Sequence, residues 1–111
     1  MRYMFLIYSH ETAEPMTAEE AETVYRGHTA VLEDAGKRGV LLGAERLKPT
    51  AAATTVRIEN GKALVTDGPF AETKEQLAGY YILRCTDLDD ALEWAARIPT
   101  ACRGGGGCIE I

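Results

Sequence analysis

Gly79-Tyr80-Tyr81-Ile82-Leu83-Arg84-Cys85, residues 79–85, is the stretch on which the fold turns. It is β-prone and has the length of a strand. Its side chains alternate, with Tyr81, Leu83 and Cys85 on one face and Tyr80, Ile82 and Arg84 on the other. Both faces are largely apolar, whereas a strand with one face in water alternates apolar with polar. Residues 3–8 repeat the pattern: Tyr3, Phe5 and Ile7 oppose Met4, Leu6 and Tyr8. A sheet built on these two strands needs cover on both sides. Leaving about six such residues in water would forgo roughly 1.5–3 kcal/mol each. Helices cover one face, and a second copy of the same sheet is the simplest cover for the other, since most soluble oligomers are closed homodimers.

Outward from these strands the elements follow in order. Residues 9–16 are polar, contain Pro15 and read as a loop. Thr17 and Glu20 form a capping box that opens a helix. Ala21, Val24, Tyr25, His28, Val31, Leu32 and Ala35 make its apolar stripe, with Gly36 or Gly39 as the left-handed cap. Residues 40–46 form a strand interrupted by Gly43, and 48–53 a linker marked by Pro49. Residues 54–59 and 62–66 flank Asn60-Gly61, a strong hairpin signal because both turn positions need positive φ. Asp67-Gly68-Pro69-Phe70 is a turn, and the polar stretch 71–78 can hold one helical turn. Thr86 or Asp87 caps a second helix, with Leu88, Ala91, Leu92 and Ala95 on its inner face and Pro99 at its end. A glycine run, 104–107, leads to a last strand at 108–111.

The expected class is therefore α+β. It is a ferredoxin-like βαββαβ domain with an inserted β-hairpin, two of which form a dimeric α+β barrel. The 111 residues fit one domain spanning 1–111. A net charge of −5, with no run of Lys or Arg, argues against nucleic-acid binding. The apolar run at the N-terminus is too short for a signal sequence or a membrane span, so a cytoplasmic protein is expected. In that compartment Cys85, Cys102 and Cys108 are expected as free thiols, although Cys102 and Cys108 could pair. Their spacing suits no usual zinc site, and no metal or cofactor is expected.

Thr66-Asp67-Gly68-Pro69-Phe70-Ala71-Glu72-Thr73-Lys74-Glu75-Gln76-Leu77, followed by Gly79-Tyr80-Tyr81-Ile82, resembles the signature of the DGPF proteins, a branch of the YCII-related family. Met4-Phe5-Leu6-Ile7-Tyr8, Gly43-Ala44-Glu45-Arg46-Leu47 and Ala91-Leu92-Glu93-Trp94-Ala95 extend the resemblance over nearly the whole chain. It weakens at the C-terminus, where members continue with an Arg-Pro segment and this sequence has its glycine run. The resemblance implies a ferredoxin-like protomer in a dimeric barrel and a His–Asp pair. It also implies an association with sigma factors of the extracytoplasmic-function type. It implies no reaction.

Two residues stand out as a catalytic pair. His28 sits in the middle of an apolar stripe, where an imidazole is either a satisfied core group or one poised for proton transfer. Asp67 opens a turn, but the residue two positions on is Pro69, which lacks the N–H an aspartate usually takes there. Its carboxylate must reach the N–H of Phe70 or turn elsewhere. Arg46, Phe70 and Tyr80 are candidate ligand contacts beside them. The residues favour a small-molecule-binding role with a pocket near His28 and Asp67, and the resemblance implies an accessory role linked to a sigma factor. The alternatives are an enzyme using His28 and Asp67 as an acid–base pair, and a purely structural dimer module.

Overall fold

The computed structural model describes residues 1–11, 16–100 and 107–111. The chain runs through strand β1 (Arg2–Ser9), helix α1 (Ala18–Lys37), β2 (Leu41–Arg46), a 3-10 turn (Thr50–Ala52) and the hairpin strands β3 (Thr54–Glu59) and β4 (Lys62–Asp67). It then continues through β5 (Gln76–Arg84), α2 (Leu88–Arg97) and β6 (Cys108–Glu110). The fold is mixed α+β. Strands β2-β5-β1-β6 form an antiparallel four-stranded sheet in that order, and β3 and β4 form a separate two-stranded one.

The start and stop of α1 follow from its end residues. The Thr17 hydroxyl accepts from the Glu20 N–H at 3.1 Å, and the Glu20 carboxylate accepts from the Thr17 N–H at 3.2 Å. At the other end Gly39 takes φ +72°. The Gly39 N–H then donates to Gly36 O and the Val40 N–H to Ala35 O, the pair of bonds that defines a Schellman cap. Of the expected stripe, Val31 and Ala35 are buried, while Ala21 and Tyr25 remain exposed.

Phe5 and Ile7 from β1, Tyr81 and Leu83 from β5, and Cys85 beyond it meet Val31, Ala35, Ala91, Trp94 and Ile98 in one core. The helices thus lie on one face of the sheet, as the two-sided strands require. Gly79 is the point of closest approach inside the sheet. A Cβ there would lie 2.7 Å from Glu45 O, so only glycine lets β2 and β5 pair at this position.

Two expectations are corrected. The stretch 71–78 holds no helical turn: Gln76–Ala78 belong to β5, with Gln76 opposite Ser9 and Leu77 opposite Tyr8 across a bulge. Ladder pairing with β1, and the Gln76 side chain accepting from the Glu11 N–H at 2.8 Å, outweigh one isolated turn. The inner face of α2 is also rotated. Ala91 is buried and Ala95 packs against the core as expected, but Leu88 and Leu92 are half exposed, and Trp94, with Ile98 just beyond the helix, is buried in their place. Trp94 offers much more apolar area than either leucine, so the helix turns to bury it.

The hairpin matches its sequence signal, with Asn60 at φ +51° and Gly61 at φ +76°. Among the described residues no helix is long and apolar enough to cross a membrane. Cys102 lies outside the described residues, as do 104–106 of the glycine run, so a pairing of Cys102 with Cys108 lies outside them too.

Candidate functional site

α1 carries His28 one turn before Val31 and Leu32, on the side that meets the sheet. There its Nδ1 is hydrogen-bonded to the hydroxyl of Tyr81 on β5. The two rings meet edge to face, with centroids 5.8 Å apart and planes at 77°. Tyr81 is at this point because of strand parity. It shares the inner face of β5 with Leu83, and Phe5 lies opposite it on β1.

Burial pushes the Tyr81 phenol up to about 12, so it stays protonated at neutral pH. Burial, and then the charge of Arg46, lower His28 from its ordinary value of 6.5. Both groups are therefore neutral near pH 7. The Tyr81 hydroxyl has no other hydrogen-bond partner among the described residues. Donating its proton to Nδ1 satisfies both groups and leaves the imidazole proton on Nε2. That Nε2–H is unpaired among the described residues, so it is available to a ligand.

Arg46 ends β2 opposite Gly79, two residues beyond Ala44, which lies opposite Tyr81. Alternation along the strand puts it on the same face as Ala44 and Tyr81. Among the described residues its guanidinium has no carboxylate partner. The cluster is therefore an N–H donor on a neutral imidazole with an uncompensated cation close by.

The other candidates lie elsewhere. Asp67 ends β4 on the hairpin and is exposed. Among the described residues its carboxylate makes no hydrogen bond or ion pair, so it reaches neither the Phe70 N–H nor His28. What lowers His28 is burial and a cation, whereas an adjacent carboxylate would raise it. Phe70 is exposed on the turn beyond β4. Tyr80 lies opposite Leu6 and Glu45 on the outer face of the sheet, away from the helices. Residue parity in β5 makes Tyr81, rather than Tyr80, the tyrosine at His28. That parity was visible in the sequence, where Tyr81 alternates in phase with Leu83 and Cys85.

A separate open groove of about 380 Å³ lies between the 3-10 turn and the turn after β4, with Thr50, Gly68, Pro69, Glu72, Thr73 and Gln76 among its walls. Neither His28 nor Asp67 lines it. Its shape is held by Glu11, whose carboxylate accepts from the Thr50 N–H at 2.8 Å and from the Thr50 hydroxyl at 2.7 Å. Among the described residues no group of three His, Cys, Asp or Glu side chains is placed to hold a metal ion.

The whole chain, residues 1–111, matches the YCII-related domain. An uncharacterized protein of Rhizobium meliloti (strain 1021) is 43% identical to it over 102 residues, covering 91% of this chain and 82% of that protein. By the match over its full length and by this relative, the chain belongs to the YCII-related domain family.

Proposed function

We propose that the protein binds a small anionic molecule, a carboxylate or a phosphate ester, at His28, Tyr81 and Arg46. What carries this reading is the hydrogen bond of His28 Nδ1 to Tyr81, which leaves Nε2 without a partner among the described residues, together with the charge of Arg46, which acts on the imidazole and has no carboxylate partner among them. An anion between the two side chains would accept two charge-assisted hydrogen bonds, one from the neutral imidazole and one from the guanidinium, whose own charge adds to the attraction. The Tyr81 hydroxyl orients the ring through Nδ1 and leaves Nε2 for a ligand. The reading also takes the protein to be a homodimer of ferredoxin-like protomers. Support comes from the sheet order β2-β5-β1-β6 and from the outer sheet face, where Met4 and Ile82 lie opposite each other, as do Leu6 and Tyr80, with no helix over them.

The test is a titration of the protein with inorganic phosphate and with small carboxylic acids, followed by the His28 ring-nitrogen resonances. Saturable movement of Nε2, lost in Arg46→Gln, is the expected outcome. No movement at millimolar ligand would end the anion-site reading.

A further inference from the structure

We infer that the β3–β4 hairpin is an arm that lies over the outer sheet face of a second copy of the chain. This rests on the homodimer reading above and adds the element that clasps the dimer. Cross-strand partners share a face of a hairpin. Val56 lies opposite Val65, and Ile58 opposite Ala63, so these four residues form one apolar face, with Thr54 and Asp67 on the same side at the base of the hairpin. The other face carries Thr55, Arg57, Glu59, Lys62, Leu64 and Thr66. On the apolar face Val56, Ile58 and Val65 are 58%, 70% and 66% exposed. A two-stranded hairpin is marginal in water unless such a face is covered. This one belongs to no larger sheet of its own chain.

The exposed area shows how much cover the protomer lacks. A compact monomer of this mass exposes about 6,000 Å². This chain exposes 7974 Å², an excess of about 2,000 Å² that falls within the roughly 1,000–2,500 Å² each chain contributes to an obligate dimer. Its radius of gyration of 16.0 Å likewise exceeds the roughly 13 Å of a compact chain of this length. The shortest dimension, 19 Å, is that of one sheet and one helix layer, with nothing on the second sheet face.

A second copy is the occupant because the chain itself carries both complementary surfaces. In a two-fold dimer each arm, rather than the partner's sheet, would cover the other protomer's Met4, Leu6, Tyr80 and Ile82, so that each apolar surface covers the other. Each six-residue strand of the arm is about 20 Å long, enough to cross the four-stranded sheet of a partner.

Neighbouring residues on the two hairpin faces give the test. Threonine keeps the β-branching and the strand preference of valine and isoleucine while replacing an apolar branch with a hydroxyl. The triple variant Val56→Thr, Ile58→Thr, Val65→Thr should weaken the dimer about a hundredfold or more in sedimentation equilibrium. Leu64→Thr, on the polar face, should leave its affinity as in the wild type. Trp94 fluorescence reports separately that the core is intact. Should the triple variant lose that signal, Val65→Thr alone is compared with Leu64→Thr, and only the former should weaken the dimer, about tenfold. A folded triple variant with wild-type affinity, or equal losses from Val65→Thr and Leu64→Thr, would overturn the arm while the dimer stands. A wild-type protein that is monomeric at the same concentration would overturn both.

Discussion

The hydroxyl of Tyr81 on β5 is hydrogen-bonded to Nδ1 of His28 on α1, joining the helix to the central pair of strands across 53 positions of sequence. The contact fixes three things together. It holds the imidazole edge to face with the Tyr81 ring, favours the imidazole proton on Nε2, and satisfies a polar group set among apolar ones. The site therefore depends on a neutral pair, and its predictions concern protons.

Tyr81→Phe removes the donor and leaves Nδ1 unpaired on the half-buried face. Stability in urea should fall by about 1 kcal/mol, the typical net worth of such a bond. The ring-nitrogen shifts of His28 should move from one tautomer toward a mixture, because nothing then holds the proton on Nε2. Unchanged shifts would show that the hydroxyl does not set the tautomer.

Arg46→Gln should raise the pKa of His28, since the guanidinium is the second cause of its lowering after burial. The same depression predicts how stability follows pH. Between the folded value and 6.5 the unfolded chain binds more protons, so stability rises with pH through that window. The contribution is complete above 6.5 and is lost as pH falls toward the folded value. Arg46→Gln should narrow the window from below. Asp67→Asn, which alters an exposed carboxylate with no link to His28, should leave the titration where it is.

Much of the fold was legible because it is written in local signals. The capping box of Thr17 and Glu20, the Asn60-Gly61 turn and the two-sided strands each specify their own geometry. The proposed site was legible only in part. His28 stood out by interrupting an apolar stripe, and Arg46 by ending a strand. Asp67 looked like a partner because Pro69 removes its usual donor, yet an exposed carboxylate is satisfied by water and needs no second partner. The face of α2 was misjudged at Leu88 and Leu92, though not at Ala91 and Ala95, because spacing alone does not weigh Trp94 by its size, while burial favours the larger side chain. Arg38 and Arg97 then close over that indole, 5.2 and 4.8 Å from the ring centroid.

Two glycines should respond to alanine in opposite directions. Gly36 lies in the last turn of α1 with nothing within 4 Å of a new Cβ. Gly36→Ala should stabilise by about 0.5–1 kcal/mol through helix propensity and a less flexible unfolded chain. Gly79→Ala places a Cβ 2.7 Å from Glu45 O, a backbone atom that moves only if β2 shifts. A loss of about 1–3 kcal/mol is expected, as for other overpacked positions. Urea midpoints of the two variants moving in the same direction would contradict these placements.

Asp34 ties the cations over Trp94 together. It accepts from Arg97 at 2.7 Å and from Arg38 at 2.9 Å. The Arg97 hydrogen bond, opposed by burial and reinforced by Arg38, holds its carboxyl below the ordinary value of 3.8. A carboxylate with a depressed folded value contributes stability that is present above 3.8 and is lost as pH falls through the folded value. Asp34→Asn removes the charge that orients both guanidiniums, so the mutant should be less stable than wild type at neutral pH. In strong acid, where the wild-type carboxyl is itself protonated, the two should converge. Trp94 emission followed against pH in both proteins is the measurement. The wild type should show an acid transition in Trp94 emission that Asp34→Asn lacks. If both proteins keep the same emission across the acid range, the carboxylate does not hold the arginines on the indole, and the packing of Arg38 and Arg97 against Trp94 is sustained by their alkyl stems alone.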